Sequence, residues 1–223
     1  MAPTDHWVEL RAEQQIENVA RRWRRAAEKR YQSDFFNMVE FIKDLVQQGP
    51  SHPDYLRIKF FERSHAGPPA KVGYKPLTLW THVDVWAAAR DQNDEYARYV
   101  LAHECGHIAL HDHTAKAYSG VDGKRIPKED EFRSAEWQAD RFADHLLMPT
   151  EIVERVSNAH DLAIRCGVEL HRAQIRIEAV QKYWLLNGQP NLDQCEGCFG
   201  YNTARIQSRV RCHSCGKSRS LDM

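Results

Sequence analysis

Apolar residues follow a helical period at the start of this chain, alternate in its second quarter, and return to a helical period after that. Leu10, Val19, Trp23, Ala26, Ala27 and Tyr31 predict a long helix from about residue 6 to 31. Phe35, Phe36, Val39, Ile42, Leu45 and Val46 predict a second amphipathic helix, stopped by Gly49-Pro50. Leu56, Ile58 and Phe60 alternate with Arg57 and Lys59, the pattern of a half-buried strand. Residues 71–74 and 77–80 are candidate second and third strands of a small sheet. Thr81 with Asp84 begins a helix ending near Arg90, and Asn93 caps a longer one over about 94–111. A loop over 112–128 carries Gly120, Gly123 and Pro127. A further helix over about 129–147 is stopped by Met148-Pro149, and Thr150 caps a short one. Two more helices are expected near 159–166 and 169–186, before the linker Asn187-Gly188-Gln189-Pro190.

This order gives an α+β class and three expected parts: a helical region over 1–50, a core with a helical extension over 51–187, and a small module over 188–223. With 223 residues and 42% apolar content, the chain can bury a medium core. Its 31 basic residues balance 31 acidic ones, so no net charge draws it toward nucleic acid or membrane. The N-terminal MAPTDHWVEL has no apolar export segment, and no apolar run approaches membrane-spanning length. A cytoplasmic protein without a membrane partner is expected. The first helix carries Arg21, Arg22, Arg24, Arg25, Lys29 and Arg30. A solvated helix face is the preferred reading of that cluster, ahead of a contact for an acidic partner.

The chemistry concentrates in His103-Glu104-Cys105-Gly106-His107, an H-E-x-x-H motif on a predicted helix. Two histidines four residues apart lie about 40° apart around a helix, so both imidazoles can reach one ion. Glu104 then stands beside the place of a metal-bound water, where a carboxylate can act as base. Glu136, in Glu136-Trp137-Gln138-Ala139-Asp140, is the expected third ligand, leaving a fourth position open. Asp140, one turn on, can accept a hydrogen bond from a ligating imidazole, His103 by preference, and fix its tautomer. His113 is a rival third ligand at metzincin-like spacing, but Leu110 occupies the position where such sites need a glycine. His111 and His145 read as structural or rim residues. Tyr118 is one candidate oxyanion donor, no better supported than His111, His113 or His145.

Residues 102–111 (AHECGHIALH) and 136–149 (EWQADRFADHLLMP) together resemble the ImmA/IrrE family of metallopeptidases. The resemblance covers about 56–180 and implies a gluzincin-like core: a small sheet packed on the helix bearing H-E-x-x-H and the helix bearing the glutamate. It implies His103, His107 and Glu136 as ligands of a catalytic zinc, and Glu104 as catalytic base. It further implies a protein substrate, since several family members cleave, or promote cleavage of, helix-turn-helix repressors. The chain departs from the family pattern at Cys105, where leucine is usual. Residues 161–168 with Ile175 and Ile177 resemble the family's paired helices after the core. A packing hairpin is preferred there over a DNA-binding unit, because no strongly basic recognition helix stands out.

Cys195-x-x-Cys198 and Cys212-x-x-Cys215 are separated by 13 residues. Two such pairs match a tetrahedral structural zinc, giving a C-terminal zinc ribbon. Metal would supply folding energy that so short a segment cannot draw from a core. The expected cofactors are therefore two zinc ions, one catalytic and one structural. Arg205, Arg209, Arg211, Lys217 and Arg219 make the ribbon locally basic, so nucleic acid and protein are both candidate contacts. The expected function is a zinc-dependent endopeptidase acting on a transcriptional regulator. The competing expectation is a non-catalytic, zinc-containing module that binds a regulator or DNA.

Overall fold

The computed structural model describes residues 7–28, 33–47, 55–61, 67–111 and 128–186, and the strand residues 203–206, 209–212 and 218–220. The chain divides into two compact units, Met1–Leu147 and Met148–Met223.

The first unit is α+β. Strands β1 (Arg57–Phe61), β2 (Ala70–Tyr74) and β3 (Leu77–His82) form a mixed sheet in the order β1-β3-β2. β1 runs parallel to β3, with Ile58 opposite Leu79, and β2 runs antiparallel to it, with Val72 opposite Leu79. Central β3 is the most buried strand, through Thr78, Leu79 and Thr81. Helices α1 (Glu13–Glu28), α2 (Met38–Gln47), α3 (Val83–Ala87), α4 (Glu95–Leu110) and α5 (Ala135–Leu147) complete the unit. α5 lies between α1 and α4, and β2 packs on α4. Ile16, Ala20, Leu101, Ala102, Ala139, Phe142 and Leu146 are fully enclosed and form the helical core. Trp23 joins it edge-on to Phe142, with ring centroids 5.4 Å apart.

Several boundaries differ from the sequence expectation, each for a local reason. α1 starts at Glu13 because the residues before it are extended: Trp7 bridges Ser134, and the Val8 amide donates to the Arg133 carbonyl at 2.8 Å. Gln15 then reaches back to accept from the Ala12 amide at 2.8 Å, half of a capping box. Arg24, expected on a solvated face, is only 3% exposed. Its guanidinium donates to the carbonyls of Leu146, Ser33 and Asp34, replacing the water that a buried charge would lose. His82, not Thr81, caps α3, its Nδ1 accepting from the Asp84 amide. α3 runs on into a π-helical turn over Ala88–Gln92, closed by Asn93 at φ 52°. Asp94, not Asn93, caps α4, its carboxylate accepting from the Ala97 amide at 2.8 Å. A 3-10 turn over Lys128–Arg133 precedes α5, and the Ser134 hydroxyl accepts from the Trp137 amide at 2.9 Å. That cap sets the start of α5 six residues beyond the expected 129.

The second unit carries α6 (Thr150–Val153), α7 (Ala159–Cys166) and α8 (Leu170–Leu186). Thr150 opens α6 as a helical residue rather than a cap; its hydroxyl accepts from Arg176, whose Nε donates to the Met148 carbonyl. Asn158 caps α7, and Gly167 at φ 59° ends it, a conformation that costs an L side chain steric strain. α7 and α8 pack as a helical hairpin around Leu162, Ala163, Cys166, Val168 and Ala173. Strands β4 (Thr203–Ile206), β5 (Arg209–Cys212) and β6 (Ser218–Ser220) form an antiparallel meander, with Cys212 opposite Thr203. Cys195, Cys198 and Cys215 lie outside the described residues, as do His113 and Tyr118. Among the described residues, no helix is long and apolar enough to cross a membrane.

Candidate metal centre

α4 supplies the first two functional side chains. Its caps and its burial on nearly every side from Ala97 to Gly106 hold it as a fixed rod. His103 and His107 therefore project one turn apart toward α5, with ring centroids 4.8 Å apart. α5 supplies the third, Glu136, from its first turn. The two helices come close because Gly106 leaves the space that Ala139 fills.

The donor atoms converge. His103 Nε2 lies 3.1 Å from His107 Nε2 and 3.2 Å from Glu136 Oε2, and His107 Nε2 lies 3.5 Å from Glu136 Oε1. Ligands about 2.0–2.1 Å from a tetrahedral zinc stand roughly 3.3–3.4 Å from one another. The three separations bracket that figure, so the donor set fits zinc in size, in number and in its mix of nitrogen and oxygen. Among the described residues this is the one cluster of three metal-capable side chains.

Around these three lies a layer that orients them. Asp140 Oδ1 accepts from His103 Nδ1 at 2.9 Å and from the Tyr99 hydroxyl at 2.8 Å. This is the partnership expected of Asp140, and it puts the Nε2 lone pair of His103 on the cluster side. His107 Nδ1 faces His111 Nδ1 at 3.0 Å, and His111 Nε2 faces Gln138 Oε1 at 3.2 Å. The Tyr74 hydroxyl donates to the His107 carbonyl at 2.9 Å, tying the end of β2 to the motif. His145, in contrast, is buried beside Glu13, 3.4 Å from its carboxylate.

The electrostatics suit a cation. Burial alone would lower the pKa of His103, but hydrogen bonds to Asp140 and Glu136 override it and raise it to about 10. Burial alone would raise that of Glu136, but the hydrogen bond from His103 and the closeness of both imidazoles hold it well below the usual carboxylate range. Both shifts state that the pocket favours positive charge at its centre, whether a proton or a metal supplies it. Glu104 is 7% exposed, and burial pushes its pKa up against the opposing pull of His107 and His103. Burial, and then the charge of His107, press His111 down to about 3, so its imidazole stays neutral. Burial raises Cys105 as well, which keeps it a thiol in the core.

The structure thus brings together His103, Glu104, His107, Glu136 and Asp140, all singled out from the sequence. It adds Tyr99, Gln138 and His111, whose parts had no signal beyond the repeat of the four-residue spacing from His107 to His111. Of the four C-terminal cysteines, only the backbone of Cys212 falls within the described residues.

Among solved structures, a Mycobacterium tuberculosis transcriptional regulator is similar to this chain at 13% identity and a TM-score of 0.41, over 71% of this chain and 49% of that one. This chain therefore spans about half the length of that protein. No curated protein matches it significantly. Residues 81–177, which carry α4, α5 and every member of the cluster, match the family model of the IrrE N-terminal-like domain, Peptidase_M78.

Proposed function

We propose that this protein is a zinc-dependent endopeptidase that hydrolyses a peptide bond in a protein substrate, a helix-turn-helix transcriptional repressor or a similar regulator. One observation carries the reading: His103, His107 and Glu136 converge at zinc-ligand separations, with buried Glu104 between the two histidines on α4. Three protein ligands leave a coordination position open, the mark of a catalytic rather than a structural site. Bound there, zinc supplies Lewis-acid polarisation and activation of water at neutral pH. Glu104 accepts the proton of the attacking water and delivers it to the leaving amine. Its raised pKa matches that double duty, since a stronger acid would hold the proton too weakly to pass it on. Asp140 holds His103 in the ligating tautomer, and Tyr99 holds Asp140.

The substrate class rests on the resemblance of residues 102–111 and 136–149 to a family several of whose members cleave, or promote cleavage of, such regulators. The same reading places the protein in the cytoplasm, where the cysteines stay reduced. Cys195, Cys198, Cys212 and Cys215 then hold a second, structural zinc in a ribbon that contacts nucleic acid or protein. The antiparallel β4-β5-β6 meander, with Cys212 at the end of β5, supports that assignment.

Glu104→Gln is the test. If a helix-turn-helix regulator is encoded beside it, the wild type should cleave that regulator on co-expression. The variant should bind zinc with unchanged stoichiometry and leave the regulator intact. Full biological activity in the variant would instead support the competing role, a zinc-containing module that acts by binding alone.

A further inference from the structure

We propose that His111 and Gln138 are positioning residues: together they fix the tautomer of His107 so that its Nε2 lone pair faces the metal position. The inference rests on the zinc reading of His103, His107 and Glu136, and goes beyond it to residues outside that ligand set.

Gln138 is fully buried, and its Nε2 donates to the carbonyls of Glu9 at 2.8 Å and Phe132 at 2.7 Å. A primary amide has two N–H groups, and both are used. Flipping the amide would set its oxygen against two carbonyl oxygens, so the orientation is settled by its partners. Gln138 Oε1 therefore faces His111 Nε2 as an acceptor, and His111 must carry its proton on Nε2.

His111 is 4% exposed, and neither of its nitrogens faces a carboxylate. Arg11, which donates to the neighbouring Leu110 carbonyl at 3.2 Å, adds positive charge nearby. A second proton would bury a positive charge with no carboxylate against the ring, so His111 stays neutral and its Nδ1 carries a lone pair. That lone pair sits 3.0 Å from His107 Nδ1, which must then be the donor. With its proton on Nδ1, His107 presents a bare Nε2 to His103 and Glu136. The opposite tautomer would aim an N–H at the metal position.

His103 reaches the same state through Asp140, a charged acceptor on the next helix. His107 reaches it through a neutral relay that ends on two backbone carbonyls. One of them, Glu9, belongs to the extended segment before α1, so the docking of that segment is read out at the metal position.

The test is made on the full-length protein with two readouts. Long-range nitrogen-15 correlation spectra of the zinc-free wild type at neutral pH should show His107 protonated on Nδ1 and His111 on Nε2. His107 protonated on Nε2 instead would overturn the proposal without any variant. Zinc affinity, from competition with a chromophoric chelator, should weaken about 10- to 100-fold in His111→Leu, the usual cost of losing a hydrogen-bond partner of a ligand. His111→Asn, whose Oδ1 can stand where Nδ1 stood, should recover most of that loss. A folded His111→Leu protein with wild-type affinity and an unchanged His107 tautomer would refute the relay. Failure of the wild type to bind zinc at all would instead strike the metal reading.

Discussion

A Cβ built on Gly106 would lie 2.8 Å from the Ala139 Cα and 2.9 Å from the Ala139 carbonyl oxygen. The obstacle is backbone, so no side-chain rotation can relieve it. This contact, in the middle of the H-E-x-x-H motif, sets how closely α4 and α5 cross. On α5, Glu136 lies one turn before Ala139 and Asp140 directly follows it. The glycine therefore places the third candidate ligand against the first two.

Gly106→Ala should accordingly harm the site more than its size suggests. Forcing one methyl into a close-packed crossing costs about 1–3 kcal/mol. The helices must move apart by several tenths of an ångström, and that displacement falls directly on the donor separations. The expected result is a lowered thermal midpoint together with weaker zinc binding, read by calorimetry and chelator competition. A variant that kept both values would mean the crossing has slack the structure does not show.

Asp140→Asn separates charge from shape. The amide can still accept from His103 Nδ1 and from Tyr99, but the negative charge that raises His103 is gone. Zinc affinity should fall by roughly tenfold or more, within the range found for such partners. The zinc-free protein should also hold its His103 proton less tightly, visible as a lower titration midpoint in proton NMR. An unmoved midpoint would show that Asp140 is not what favours the cation.

Acid should act on His111. Unfolded, this histidine takes a proton near pH 6.5, but folded it resists until about pH 3. Between those values the unfolded state binds one more proton, so stability falls as pH falls. The limiting slope is about 1.4 kcal/mol for each pH unit. Urea unfolding of zinc-free wild type and His111→Asn from pH 7 to 4 isolates this contribution, because the other titrating groups are shared. The wild type should lose stability relative to the variant across that window. Parallel curves would show that His111 is not buried as a neutral group.

Local physics made much of this protein legible from its residues in order. Helical and alternating periods located the three strands and most helices, because burying one face is a property of the segment itself. The His103–His107 pair was legible for the same reason: four residues on one helix bring two rings together whatever surrounds them. Helix starts were less legible. Ser134 and Asp94 cap their helices through side chains, whereas the apolar period runs past those points without a break.

Only the tertiary structure decided what lay across helices. Arg24 reads as one of a cluster of surface charges, until three carbonyls from distant turns close around it. Glu136 is marked in the sequence by its place after H-E-x-x-H, but it reaches the two histidines only because Gly106 lets α5 approach α4. From the sequence His111 reads as a structural or rim residue, and nothing next to it in the chain speaks otherwise. Its proton is placed by Gln138, and that amide is placed by a carbonyl 129 positions earlier in the chain. A spacing within one helix is written in the order of residues, but a hydrogen's position on a ring depends on every partner the fold brings to it.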